Sequence, residues 1–453
     1  MSSAGHVSGR GIFNNLSLLL GGKTVAAIVS LVYILIVTRA LGPSGFGVLV
    51  LVHGWTVTVG GIIAFSGWHG IVRYGAQALE AGDRSRLVRL ARFTTLVELG
   101  CGLTAILFAA GFAGFAAPRL GIPDNLVWLT RIYALAIFAN MLTTPVGILQ
   151  LAGRFDRLAL HPALSPSVRL VAVLIVWFGG GGIEGFLYAW LVSAISEGAF
   201  MWWLAWPVFR EMRGGEPLLG PASARGENPG LVRFLATANA DLTLRDIAPK
   251  AVPLIVGAIL GPAATGIYSL AVRAAVILQQ PAVQLAQASY PVIAKLLAAG
   301  ELARARSLSW KTSFTTLAVA VPLVLLLAFF SRQILEIMGG KAFGSGAFVF
   351  ILLMIGRAGM LAAVPLSSLL LAMGRTTASI LVNIGINLFT LPLLVWLLST
   401  DGLSGAGWYG AVTGIGSFVV LAMLLSLGNR RARVLQPEAE IAAAIDPTGN
   451  QDG

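Results

Sequence analysis

The chain has 453 residues, of which 57% are hydrophobic and only 11% charged, and its mean hydropathy is +0.85. A water-soluble globule needs roughly 25% charged residues to cover its outside, so this composition excludes an ordinary soluble enzyme, a disordered chain and a coiled coil, and leaves a polytopic membrane protein. The net charge of +12 does not imply nucleic-acid binding, because the basic residues lie in short clusters between apolar segments.

Twelve apolar segments are long enough to cross a bilayer. They run over 14–38, 46–72, 93–117, 125–151, 164–180 and 183–209, then 231–259, 263–292, 312–337, 346–373, 376–398 and 404–428. The first, a largely apolar stretch of 23 residues from Leu16 to Thr38, exceeds a signal-peptide core and reads as a retained span. The fifth is the weakest, with Arg169 early in it and glycines from Gly179 to Gly182 at its end. Basic residues gather on alternate loops, around Arg73, Arg84–Arg92, Arg154–Arg157, Arg210–Arg233, Lys295–Lys311 and Arg430–Arg433. The opposite loops hold Arg39, Arg119, Arg332 and Lys341. The bias places the rich loops and both termini in the cytoplasm.

The chain repeats itself. LGPSGFG at Leu41–Gly47 recurs as LGPAATG at Leu260–Gly266, AGD at Ala81–Asp83 as AGE at Ala299–Glu301, and LQLAGR ending at Arg154 as LLAMGR ending at Arg375. The offsets are 219, 218 and 221 residues. Three matches in order, at nearly one offset, indicate duplication of a six-span unit, a parallel repeat of the kind that puts a substrate path between two halves. The expected organisation is a six-helix lobe over 1–209, a cytoplasmic linker over 210–230, a second lobe over 231–433 and a disordered cytoplasmic tail over 434–453.

Enzyme signatures fail. Ser17–Thr24 ends in Gly-Lys-Thr, but a phosphate-binding loop needs a glycine where Ser17 stands and a strand before it. The four histidines have no metal-ligand spacing, and the lone Cys101 cannot form an intrachain disulfide. No catalytic residue, cofactor or metal site is expected.

The informative residues are charges deep in the spans: Lys23, Arg131, Arg245, Lys250, Arg273 and Arg357 against Glu98, Glu197, Asp241 and Asp246. Each costs roughly 2.5–3.5 kcal/mol at mid-bilayer unless paired, snorkelling or wet. Glu98, close to Arg92, has a local role in this reading. Asp241 with Arg245, and Asp246 with Lys250, form i,i+4 pairs on the seventh span, beside Pro249 and Pro253. These pairs read either as structural salt bridges or as sites of ion exchange; Glu197 is open to the same two readings. On the eighth span Ser269, Arg273, Gln280, Gln284 and Gln287 share one face, a polar stripe suited to a wet cavity. The surplus of deep bases suits an anionic ligand, above all phosphate, which arginine grips through forked hydrogen bonds.

With these features the chain resembles the oligosaccharide flippases of bacterial polysaccharide assembly, Wzx-like members of the MOP superfamily that also holds the MATE exporters and lipid II flippases. The resemblance covers residues 12–430 and rests on TRALGPSGFG at Thr38–Gly47, on the stretch Tyr74–Leu87 and on the repeat. It implies an all-α integral membrane protein with twelve transmembrane helices in two six-helix lobes, V-shaped and MATE-like. Spans 1, 2, 7 and 8 would border a central cavity that opens alternately to each side. It further implies a bacterial inner-membrane flippase for an undecaprenyl-pyrophosphate-linked oligosaccharide. Lys23, Arg245, Lys250, Arg273, Gln280, Gln284, Gln287 and Arg357 are then the candidate substrate residues. Asp241, Asp246 and Glu197 are candidates for proton or sodium coupling. Expected partners are the lipid-linked oligosaccharide, membrane lipids and other polysaccharide assembly proteins, with no nucleic acid. The alternatives are a MATE-like drug exporter, whose cationic substrates suit a basic cavity poorly, a membrane glycosyltransferase or polymerase, and a non-transporting scaffold.

Overall fold

A computed structural model describes residues 9–445 apart from 64, 142, 223, 375–381, 383 and 387. Side chains are described within these except at 9–24, 140–141, 277–291 and 427–445. The described residues are helical almost throughout. In chain order the helices are α1 (Gly9–Ile63), α2 (Trp68–Glu80), α3 (Arg84–Arg119), α4 (Val127–Tyr133), α5 (Ile137–Met141), α6 (Thr144–Leu151), α7 (Phe155–Leu158), α8 (His161–Phe178) and α9 (Ile183–Arg213). There follow α10 (Leu231–Ala298), α11 (Leu302–Phe329), α12 (Ser331–Gly339), α13 (Ala347–Ala372), α14 (Leu391–Asp401) and α15 (Leu403–Ile445).

Nine stretches among the described residues are long and apolar enough to cross a membrane, against the twelve spans expected. The two longest, Val25–Ile63 and Leu231–Val276, each run through a glycine that leaves helical space. Gly42 adopts φ 65°, ψ −175° and Gly261 φ 84°, ψ 178°. These glycines stand where the sequence places the turns between spans 1 and 2 and between spans 7 and 8. The expected span 183–209 is a single helix, α9, which is not among the nine. The expected span 125–151 is broken into α4, α5 and α6. Part of the expected span 376–398 lies outside the described residues. Large apolar side chains stand open on the helix surfaces, among them Ile175, Phe178, Phe329 and Phe389, a surface that only lipid can solvate cheaply.

All three sequence repeats mark glycine turns. Gly42 and Gly261, Gly82 and Gly300, and Gly153 and Gly374 each have positive φ, a conformation that a side chain disfavours. The first pair also brings the two copies of its motif together. A Cβ on Gly47 would lie 1.7 Å from the Pro262 carbonyl oxygen, and one on Gly266 would lie 2.1 Å from the Pro43 carbonyl oxygen. The two backbones therefore cross in van der Waals contact, reciprocally, with each glycine seated on the proline of the other copy.

Packing divides the described residues into two units. The first comprises residues up to Leu270 together with Arg332–Gly346, and the second comprises Ala271–Ser331 and the residues from Ala347 onward. The boundary between these packing units falls inside α10.

In the first unit, Ile71, Tyr74, Leu90, Ile148, Leu204, Phe209 and Leu235 form one core. A smaller one gathers Val59, Ala105, Ala109, Ala134 and Ile137. Segment 332–346 belongs here because the Thr38 hydroxyl donates to the Met338 carbonyl at 2.8 Å and Phe46 meets Phe343 edge-on. The segment expected as a linker, 210–230, is strapped to α3. Arg92 donates to the carbonyls of Pro217, Leu218 and Pro221. Arg86 donates to Asn228, and Arg89 pairs with Glu227 at 2.8 Å. Ala224 and Asn228 are fully buried.

In the second unit, α13 and α15 approach through glycines. A Cβ on Gly356 would meet the Gly410 carbonyl oxygen at 2.1 Å, and one on Gly414 would meet that of Gly356 at 1.9 Å. Small residues at a helix contact let backbones pack closely in lipid, where no hydrophobic force drives helices together. Ile293, Ala305, Leu366, Leu369 and Leu421 fill the core below. Helix α15 continues to Ile445, through residues 434–445 of the stretch expected to be disordered.

Candidate functional site

The antiparallel seam between α1 and α10 positions the charges of the seventh span. Leu254 packs at Gly54, the Thr58 hydroxyl donates to the Lys250 carbonyl at 3.3 Å, and the Thr243 hydroxyl donates to the Gly61 carbonyl at 3.2 Å. At the far end Asn239 and Ser66 exchange two hydrogen bonds, from Ser66 N–H to Oδ1 at 2.6 Å and from Nδ2 to the Ser66 carbonyl at 3.1 Å. Gly61 leaves room for a lysine, since a methyl there would come within 3.0 Å of Lys250 Nζ.

Along this seam both expected pairs form. Arg245 Nε donates to Asp241 at 2.9 Å and Lys250 Nζ donates to Asp246 at 3.0 Å. All four side chains remain between 31% and 58% exposed.

Glu197 stands elsewhere in the same unit. Its Oε1 lies 3.0 Å from His161 Nε2, and Ser165 also bonds it. Arg273 and Arg357 belong to the second unit, on α10 and α13, and each is half-buried with a polar or ring partner of its own. The side chains of Lys23, Gln280, Gln284 and Gln287 lie outside the described residues, and with the glutamines most of the polar stripe. Among the described residues no group of three His, Cys, Asp or Glu side chains could hold a metal ion.

Two polar clusters were missed by the sequence reasoning. The first centres on Glu98, which does not meet Arg92. It is fully buried and accepts from Gly67 N–H at 2.8 Å, the Thr143 hydroxyl at 2.6 Å and Thr144 N–H at 3.2 Å. These donors lie at the breaks before α2 and α6, where backbone N–H groups lack helical partners. One carboxylate thus holds two interrupted helices, and Ser66, next to Gly67, carries the clamp from Asn239.

The second cluster lies between α8, α9 and α1. His161, Ser165 and Arg169, spaced by four on α8, face Ser193 and Glu197, spaced by four on α9. The four-residue spacing is legible in the sequence, where Arg169 lies early in the fifth expected span. Beside them His53 Nδ1 and the Tyr133 hydroxyl lie 2.9 Å apart.

The sequence and the fold both have counterparts among known proteins. A family model described as polysaccharide biosynthesis protein matches residues 12–297, more than half of the chain. The chain belongs to the polysaccharide biosynthesis protein family. A relative, the inner membrane protein YghQ of Escherichia coli K12, is 28% identical over 292 residues, which are 63% of this chain and 81% of YghQ. The fold is that of MOP-superfamily transporters. An inward-facing multidrug resistance MATE transporter superposes with TM-score 0.67 at 15% identity, covering 91% of this chain and 96% of its own. The lipid II flippase MurJ, in an inward closed conformation, superposes with TM-score 0.68 at 13% identity, covering 90% and 87%. This family member is therefore a multi-pass, all-helical membrane protein with a MATE-like fold.

Proposed function

We propose that this protein is a flippase that moves an undecaprenyl-pyrophosphate-linked oligosaccharide across the bacterial inner membrane for surface or exopolysaccharide assembly. The observation that carries the reading is membership of the polysaccharide biosynthesis family over residues 12–297, and the likeness of fold to a lipid II flippase supports it. No bond is made or broken. The protein exchanges two conformations, and a substrate shifts them only by binding one better than the other.

The duplicated halves, 1–209 and 231–433, are the two lobes of this mechanism. Lys23, Arg245 and Lys250 in the first unit, and Arg273 and Arg357 in the second, are each candidate contacts for the pyrophosphate, while Gln280, Gln284 and Gln287 offer donors and acceptors to sugar. Asp241, Asp246 and Glu197 release or take up a proton or sodium ion as the cations change partners. Both termini and the basic loops face the cytoplasm, as the loop charge bias requires.

Deleting the gene tests the reading. The expected result is loss of a surface glycan, accumulation of its lipid-linked precursor on the cytoplasmic side, and unchanged susceptibility to cationic drugs. Unchanged glycan with raised drug sensitivity would overturn it in favour of an exporter.

A further inference from the structure

Arg169 sits at mid-length of α8, about 14 Å from the Phe178 end at roughly 1.5 Å per residue. A charge at that depth costs roughly 2.5–3.5 kcal/mol, so something must compensate for it. Its surroundings hold the guanidinium in one plane. Nε donates to Ser193 Oγ at 2.9 Å and Nη1 to the Tyr33 hydroxyl at 3.3 Å. The guanidinium carbon stands 4.8 Å from the centre of the Trp190 ring and 5.5 Å from that of Tyr33. Ser193 and Trp190 are fully buried and Tyr33 is 3% exposed, so the platform is rigid, and the ring faces favour the cation.

Glu197 acts on this charge through space, but no direct ion pair forms: among the described residues no carboxylate lies within 4 Å of Arg169. The acid in its neighbourhood, Glu197, is engaged by His161 at 3.0 Å. Only two of the five guanidinium N–H groups are used within the described residues, and the Nη2 edge makes no hydrogen bond there. Arg169 itself remains half-buried, not sealed. A fork fixed by hydrogen bonds and stacked on aromatic faces, with its outer edge vacant, is preorganised to take a planar pair of anionic oxygens.

We propose that Arg169, aimed by Ser193 and Tyr33 and stacked on Trp190, is the anchor of a second anion subsite, which takes a phosphate or pyrophosphate group of the lipid-linked substrate. The inference rests on the flippase reading and adds to it a contact on α8, a helix outside those assigned to the cavity.

The test uses the full chain in phosphatidylcholine nanodiscs. Inorganic pyrophosphate is titrated calorimetrically, and undecaprenyl pyrophosphate doped into the discs is followed by native mass spectrometry. Arg169→Gln is expected to weaken both probes at least about tenfold, the worth of a charge-assisted hydrogen bond or more. Arg169→Lys keeps the charge and loses the fork, and recovers part of the affinity. Ser193→Ala frees the guanidinium and costs about threefold, as one neutral hydrogen bond would. If Arg169→Gln fails to fold, the Lys and Ala variants decide the matter.

Full affinity in folded Arg169 or Ser193 variants, with wild-type binding intact, overturns the subsite and leaves the flippase reading standing. Arg169-dependent binding of inorganic pyrophosphate, with lipid binding independent of Arg169, overturns the assignment to substrate. A wild-type protein that binds neither probe overturns the flippase reading itself.

Discussion

Glu98 and Asp241 are both carboxylates in membrane helices, yet their surroundings give them opposite sensitivities. Glu98 is buried under three donors, of which Gly67 N–H has a second acceptor in Thr143 Oγ1 at 3.0 Å, and each unsatisfied buried donor costs about 1–3 kcal/mol. Glu98→Ala is expected to lower stability by about 3 kcal/mol or more, read as a fall in the unfolding temperature of the purified protein. Glu98→Gln, which keeps an acceptor oxygen, should lose less. Asp241 is one third exposed and, among the described residues, bonded only to the next turn of its own helix. Asp241→Asn is expected to cost about 0.5 kcal/mol and to move the unfolding midpoint by about 1 °C. If Asp241 serves in coupling, the same stable variant loses the gradient dependence of glycan export. A wild-type transporter indifferent to proton and sodium gradients would refute that role.

At the scale of elements, the crossing of the two repeat motifs is decided by what a single methyl group would meet. Gly47 and Gly266 face backbone carbonyls, which cannot swing aside as a side chain can. Gly47→Ala and Gly266→Ala are therefore expected to reduce folded protein in the membrane severely, measured by monodisperse yield and unfolding temperature. Gly100 and Gly111 on α3 supply the control, because a Cβ there meets nothing within 4 Å. Gly100→Ala should be neutral, or stabilising by up to about 1 kcal/mol through helix propensity. Equal effects at Gly47 and Gly100 would show that the crossing contributes nothing. The same reasoning explains why the helix-breaking glycines repeat at one offset: each duplicated half needs its turns in corresponding places, and positive φ admits glycine most readily.

For the whole molecule the testable property is orientation. Because Cys101 is the sole cysteine, a Cys101→Ser background accepts single reporters cleanly. Cysteines placed at Ser85, Gly226 and Ala432 are expected to resist an impermeant thiol reagent in intact cells and to react after permeabilisation, whereas one at Ala342 should react in both. Labelling of the first three from outside would invert the assigned topology. The strap of Arg86, Arg89 and Arg92 over 217–228 gives the basic loop a second task besides orienting insertion. Replacing all three by Gln should loosen the 214–230 segment, seen as faster proteolysis there, even where insertion remains correct.

The all-helical membrane class, many of the spans and the positions of the main turns were legible in the sequence alone, because they depend on local quantities, although nine candidate spans stand among the described residues against twelve expected. Hydropathy decides whether a segment enters lipid, and a glycine at a motif repeat decides where the helix turns. The pairs Asp241–Arg245 and Asp246–Lys250 were legible for the same reason, since four residues along a helix fix the distance between side chains. The partners of Glu98 lie 31, 45 and 46 residues away, and those of Arg169 lie 24 and 136 residues away. No spacing within one helix encodes those distances. Helical periodicity tells which residues share a face, but which faces dock, and at what register, is decided by close packing and by the need to satisfy every buried polar group at once. Only the tertiary structure therefore showed that Glu98 ties two broken helices together, that the segment 210–230 is strapped down, and that an arginine read as a flaw in a span is held in place with one edge free.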